Sequence, residues 1–201
     1  IGGQTGTTLV LGQAQVGKLI TVTASYTDGQ STAEAVTSNA TASVVNVNDV
    51  PTGTVTITGT ATQGQTLTAA NTLADVDGMG VVSYQWKANG EAISGQTGST
   101  LVLGQTLVGK AITVTASYTD GQSTAEAVTS NATAAVLNVN DVPTGAIAIS
   151  GTPTQNQTLT VINTLADADG LGAMSYQWKA NGEAIGGQTG TTLVLGQAQV
   201  G

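Results

Sequence analysis

Apolar and polar residues alternate with a period of two along most of the chain, and no stretch sustains the 3.6-residue period of an amphipathic helix. The alternation predicts β-strands. Val55 and Ile57 are interleaved with Thr54, Thr56 and Thr58; Leu67 and Ala69 with Thr66 and Thr68; Tyr84, Trp86 and Ala88 with Ser83, Gln85 and Lys87. Leu101 and Leu103 follow. Ile112, Val114, Ala116 and Tyr118 then alternate with Thr113, Thr115, Ser117 and Thr119, and a last strand is expected from about Val128 to Val139. Each set gives its strand one face to bury. Asn89-Gly90 and Asp120-Gly121 are expected to supply the positive φ of tight hairpins between them. A unit of about 90 residues with roughly seven short strands predicts a two-sheet β-sandwich, and the fold class is all-β.

The pattern repeats almost letter by letter. Near-identical strings begin at Ile1, Ile93 and Ile185, a period of 92 residues. Solenoid units are about 20–50 residues long and lean on their neighbours, whereas a unit of this size can bury a core by itself. The segment NVNDVPTG, at 46–53 and 138–145, interrupts the alternation. Its proline restricts both itself and the preceding residue, so the segment reads as a short, stiff linker. The expected organisation is therefore 1–50 as the C-terminal part of a repeat, 51–142 as a complete repeat, and 143–201 as the N-terminal part of the next. Residues 143–184 and 1–50 supply between them the sequence of one full repeat. This suits either a window from a longer array or a subunit whose open ends complete each other head to tail.

Composition narrows the chemistry. The chain has no Cys and no His, and its four basic residues are the lysines Lys18, Lys87, Lys110 and Lys179. Disulfides, thiolate or imidazole metal sites and Ser-His-Asp machinery are excluded. A net charge of −8 repels polyanions, so nucleic acid is not an expected partner. No apolar run reaches the length of a membrane span, and no membrane insertion is expected in this segment. Nothing suggests an apolar pocket able to raise the pKa of one carboxylate, so the chain is not expected to be an enzyme. Asn39, Asn131 and Asn156 fit the glycosylation triplet, a short motif that threonine-rich sequence produces by chance. All six aromatics fall on inward phases, which disfavours a sugar-stacking platform and makes Trp86 and Trp178 core anchors.

Two segments carry a more specific likeness: SYQWKANGEAI at 83–93 and VGKAITVTASYTDGQ at 108–122. A Trp on the third strand, an Asn-Gly hairpin, and a late Tyr on a strand preceded by Val-Gly-Lys resemble an immunoglobulin-like fold without its disulfide. Tyr118 and Tyr26 would be its corner residues. Together with the NVNDVP linker and the Asp75-Val76-Asp77-Gly78 loop, the repeat resembles the bacterial immunoglobulin-like or cadherin-like tandem extender repeats of large RTX-type secreted adhesins. That resemblance implies an extracellular location at a bacterial surface, a structural role in cell adhesion or biofilm formation, and neighbouring repeats of the same protein as partners. Self-assembly into a fibre and binding of carbohydrate or protein are the alternatives.

Carboxylates are the only plausible functional groups. Asp75, Asp77, Asp49, Asp120, Glu91 and Glu126 gather at or near turns. Hard oxygen ligands beside a turn suit Ca²⁺, which takes about 6–8 of them at about 2.3–2.6 Å. EF-hand spacing is not met. The resemblance implies calcium shared at the junctions, by Asn48, Asp49, Asp75 and Asp77 at the first and by Asn140, Asp141, Asp167 and Asp169 at the second. The linker lacks the family's second Asn, and no PENE-like or DRE-like segment is visible. The bland alternative is a solvated Asp-Gly turn.

Overall fold

In the computed structural model, residues 2–200 are described, and their regular structure is antiparallel β with three single turns of 3-10 helix. The chain divides into two compact units, Ile1–Leu137 and Asn138–Gly201. The first begins with a 3-10 turn at Gln13–Gln15 and a hairpin of β1 (Thr23–Thr27) and β2 (Ala33–Thr37). Seven strands of the complete repeat follow: β3 (Val55–Thr58), β4 (Thr66–Asn71), β5 (Ser83–Ala88), β6 (Glu91–Ala92), β7 (Thr100–Val102), β8 (Ile112–Thr119) and β9 (Ala125–Thr129). They form one sheet ordered β3-β4-β7 and another ordered β6-β5-β8-β9. The second unit has a sheet ordered β10-β11-β14, from Ile147–Ser150, Thr158–Asn163 and Thr192–Val194, and a short hairpin of β12 (Lys179–Ala180) and β13 (Glu183–Ala184).

The complete repeat buries the alternating positions of both sheets in one core. Leu67, Trp86, Leu103, Ile112 and Val114 are wholly inaccessible, and Ile57, Tyr84 and Val128 pack against them. A side chain of this kind stabilises by about 1.5–3 kcal/mol when fully buried. Trp86 meets the cost of burying its indole N–H by donating to the Gly98 carbonyl at 2.9 Å. Gln85, on the other face of β5, donates to the carbonyls of Trp86 and Ile93, which fixes the loop that covers the indole. Trp178 and Gln177 make the same bonds in the second unit.

Three expectations are corrected. The last strand ends at Thr129, because the Ser130 and Thr133 hydroxyls accept the Val114 and Ile112 N–H groups at 3.1 Å. Val136 and Leu137 then make isolated parallel bridges to Val108 and Thr62. At the Asn89-Gly90 turn both residues have positive φ, 48° and 89°, but in the β8–β9 hairpin the left-handed residue is Ser123, at 71°, and not Asp120 or Gly121. Tyr26, read as an inward corner residue, is 58% exposed because no second sheet faces its hairpin among the described residues.

Candidate metal centre

The parity of β8 builds the site. Ile112, Val114, Ala116 and Tyr118 face inward, and the next residue in that phase is Asp120, which the hairpin carries into the protein at 6% exposure. Its Oδ1 accepts the Gln122 and Thr124 N–H groups at 2.9 and 2.7 Å, which fixes the carboxylate. Its Oδ2 is buried and has no hydrogen-bond partner. Asp28 accepts the same pair of N–H groups in the β1–β2 hairpin, so the turn itself orients this side chain.

Asp75 and Asp77 arrive from the loop between β4 and β5. Asp75 Oδ1 accepts the Asp77 N–H at 2.9 Å, and Asp75 Oδ2 accepts the Tyr118 hydroxyl at 2.6 Å. Two glycines let loop and hairpin meet. A Cβ on Gly121 would lie 2.5 Å from the Asp77 carbonyl oxygen, and one on Gly80 would lie 2.1 Å from that of Thr119. The Gly121 N–H also donates to the Asp77 carbonyl, at 3.1 Å. A carboxylate oxygen from each of Asp75, Asp77 and Asp120 consequently lies within 4.8 Å of the other two. Burial first, and then the bond to the Asp75 carboxylate, push the Tyr118 phenol well above its ordinary range and keep it a donor.

Three closely spaced carboxylates, one holding a buried oxygen without a partner, fit a metal ion: like charges so placed repel, and a cation would neutralise them while filling the empty acceptor position. Oxygen donors alone select hard cations. The junction residues sit differently. Asp49 is exposed, and what it presents to Asp77 is its backbone N–H, donated to Oδ2 at 2.7 Å. Gln13 donates to Asp77 Oδ1 at 2.7 Å, and Asn48 donates to Glu126 at 2.8 Å. In the second unit Asp169 accepts the Asp141 N–H at 2.8 Å and the Asn138 amide at 2.9 Å, and the Asp169 N–H donates to Asp167 Oδ1. Asn140 donates to the carbonyl of Asp141. Asp169 is exposed where Asp77 is buried, since no counterpart of Asp120 covers it among the described residues.

Asp75 and Asp77 are thus brought together as the sequence suggested, and Asp120, Tyr118 and Gln13 are additions. Strand parity was the signal for Asp120; nothing in the local sequence marks Gln13, which lies 64 residues from Asp77. Among the described residues, no helix is long and apolar enough to cross a membrane. Comparisons with protein-family models, curated proteins and solved structures return no match to this chain.

Proposed function

We propose that the chain is a run of structural extender repeats from a large extracellular bacterial adhesin, giving reach and stiffness and holding Ca²⁺ beside each linker. One observation carries this reading. In both copies of the linker the backbone N–H of the Asn-Asp aspartate seats on the second carboxylate of the following Asp-x-Asp loop, Asp49 on Asp77 and Asp141 on Asp169. A linker held by the repeat that follows it restricts bending more than a solvated tether would. The core of 51–137, with its own Trp86 anchor, supports beads that fold separately.

Calcium belongs to the reading because the ligand set is all oxygen, partly buried and adjacent to the seated linker. Asp77 is the shared element: its carboxylate accepts from Gln13 and Asp49 on one side and faces Asp75 and Asp120 on the other. An ion there would neutralise the cluster and hold the linker's acceptor in place. Small-angle scattering of the chain with Ca²⁺ and with chelator tests this. The expected result is a longer, narrower distance distribution with Ca²⁺; an unchanged maximum dimension removes the calcium part of the reading.

A further inference from the structure

Beyond β9 the chain follows β8 at a pitch that no regular strand has. Thr129 pairs with Thr115, so residues paired one for one would bring Ala134 opposite Lys110. The segment instead advances three residues for every two of β8: the Ser130, Thr133 and Val136 N–H groups donate to the carbonyls of Val114, Ile112 and Lys110 at 2.9, 2.9 and 3.0 Å. The surplus residues are taken up as bulges. Hydroxyls make this possible. Ser130 and Thr133 Oγ accept the Val114 and Ile112 N–H groups, and the Thr133 hydroxyl donates in turn to the Ala134 carbonyl at 2.7 Å, so β8 keeps its partners while the segment lags behind it. Ser38, Thr41 and Val44 make the same bonds to Val22, Ile20 and Lys18, which marks the bulges as a property of the local sequence.

The lag decides where the segment ends. Val136 is buried in the core, its carbonyl accepts the Gly109 N–H at 2.9 Å, and Leu137 comes alongside the stretch between β3 and β4. There the Leu137 N–H donates to the Ala61 carbonyl and the Leu137 carbonyl accepts the Gln63 N–H, both at 2.9 Å, in a parallel bridge with Thr62. The chain enters the repeat through the Thr52–Ala74 bridge, on the end that carries Asp75 and Asp77, and runs along β3 to reach Ala61. It leaves at Leu137, beside Lys110 at the other end of β8, whose eight residues span about 26 Å. Tension between the flanking linkers therefore draws 61–63 and 136–137 past each other along their length. The bonds that hold them are loaded together, in shear, and none can open before the others.

We propose that this patch, Ala61–Gln63 against Val136–Leu137, is the mechanical lock of the complete repeat, the place where a pull along the chain is resisted. Its biological use rests on the extender reading, since a spacer that holds a distant module transmits the pull on that module. Rupture under force is governed by the rate of unfolding and not by equilibrium stability, so a bond that adds little to the melting temperature can decide how long the bead holds. The bulges are what place the lock: without the lag, Leu137 would overshoot the stretch that holds it.

The protein has no cysteine, so pairs of introduced cysteines on the full chain set the direction of pull in magnetic tweezers. Val50→Cys with Val142→Cys, both exposed in the linkers, loads the lock; Val81→Cys with Gln122→Cys, both at the Asp77 end, parts β5 from β8 one bond at a time and bypasses it. Gln63→Pro tests the lock itself. Gln63 precedes Gly64, at φ 79°, in a turn closed by the Gln65 N–H on the Thr62 carbonyl at 3.1 Å, a position that proline favours, so the turn is kept while the N–H to Leu137 is lost. At constant force the parent should last about tenfold longer or more when pulled through the linkers than through 81 and 122. Gln63→Pro should shorten the first lifetime about fivefold, leave the second unchanged, and melt within about 4 °C of the parent. The same ratios are expected in CaCl₂ and in EDTA, because the lock lies at the opposite end from Asp75, Asp77 and Asp120; the scattering comparison with chelator bears on the extender reading and not on this one. Equal lifetimes in the two directions, or an equal effect of Gln63→Pro in both, would overturn the proposal.

Discussion

Replacing Asp120 by Asn should have opposite effects with and without a divalent ion. The amide oxygen can still accept the Gln122 and Thr124 N–H groups, so the hairpin is kept, and the change falls on the oxygen that has no partner. Two unit charges 4.8 Å apart repel by about 3.5 kcal/mol at an effective dielectric constant of 20. The substitution relieves two such pairs, and the new amide is placed to donate toward Asp75 and Asp77. Salt and the hydrogen bonds already made to these carboxylates reduce the gain, so Asp120→Asn in chelator should be as stable as the parent or more stable by about 1–2 kcal/mol. On the proposed reading, Ca²⁺ at about a hundredfold over its Kd should stabilise the parent by about 2.7 kcal/mol. For a unit of this size each kcal/mol moves Tm by about 4–8 °C. The variant has lost one anionic ligand of three and should bind at least tenfold more weakly, forfeiting about 1.4 kcal/mol or more of that gain. Differential scanning calorimetry of the whole chain in EDTA and in CaCl₂ reads both signs. A variant destabilised by more than about 2 kcal/mol in EDTA would mean that Oδ2 has a structural role. A full Ca²⁺ response in the variant would place the ion elsewhere.

Further outcomes follow from the same geometry. Because the folded state holds Tyr118 protonated beyond the ordinary value of 10.0, stability should be level with respect to this group below pH 10 and fall as pH rises past it. Tyr118→Phe should remove that alkaline slope in urea melts between pH 9 and 11. Gly121→Ala places a methyl 2.5 Å from the Asp77 carbonyl oxygen and should cost about 1–3 kcal/mol by denaturant titration, with loss of the Ca²⁺ shift. Leu107 is buried where the other copies have Gln15 and Gln199, whose side chains accept the Gly12 and Gly196 N–H groups. Leu107→Gln should therefore cost only about 1 kcal/mol, since a hydrogen bond of that kind offsets part of the lost apolar burial.

The period of two located β3, β4, β5 and β8 closely because their buried faces impose it, and the 92-residue repeat is plain in the letters. The end of β9 was not legible. Ser130 shares the phase of Val128 and Thr133 lies on the opposite one, yet both hydroxyls take the hydrogen bonds that main-chain carbonyls would have accepted, and only the fold shows that exchange. At the centre, Asp75 and Asp77 stand out as a local pair, while Asp120 is one of several carboxylates near turns and lies outside the ligand set that the resemblance implies, although β8 carries its phase inward. Pairing over long separations, as between Gln13 and Asp77, leaves no local trace. Tyr26 shows the converse limit: its sequence is that of Tyr118, and the surroundings alone decide whether the ring is covered.

The seating of the linker on Asp77 through an amide hydrogen has an evolutionary consequence. Any residue except proline presents that hydrogen, so position 49 is open to change in side chain while the mooring persists. The acceptor enjoys no such latitude, because a carboxylate at 77 or 169 cannot be replaced by main chain. Copies of this repeat should therefore diverge first at the donor position, and a proline arriving at 49 would remove the bond to Asp77 without touching the buried core.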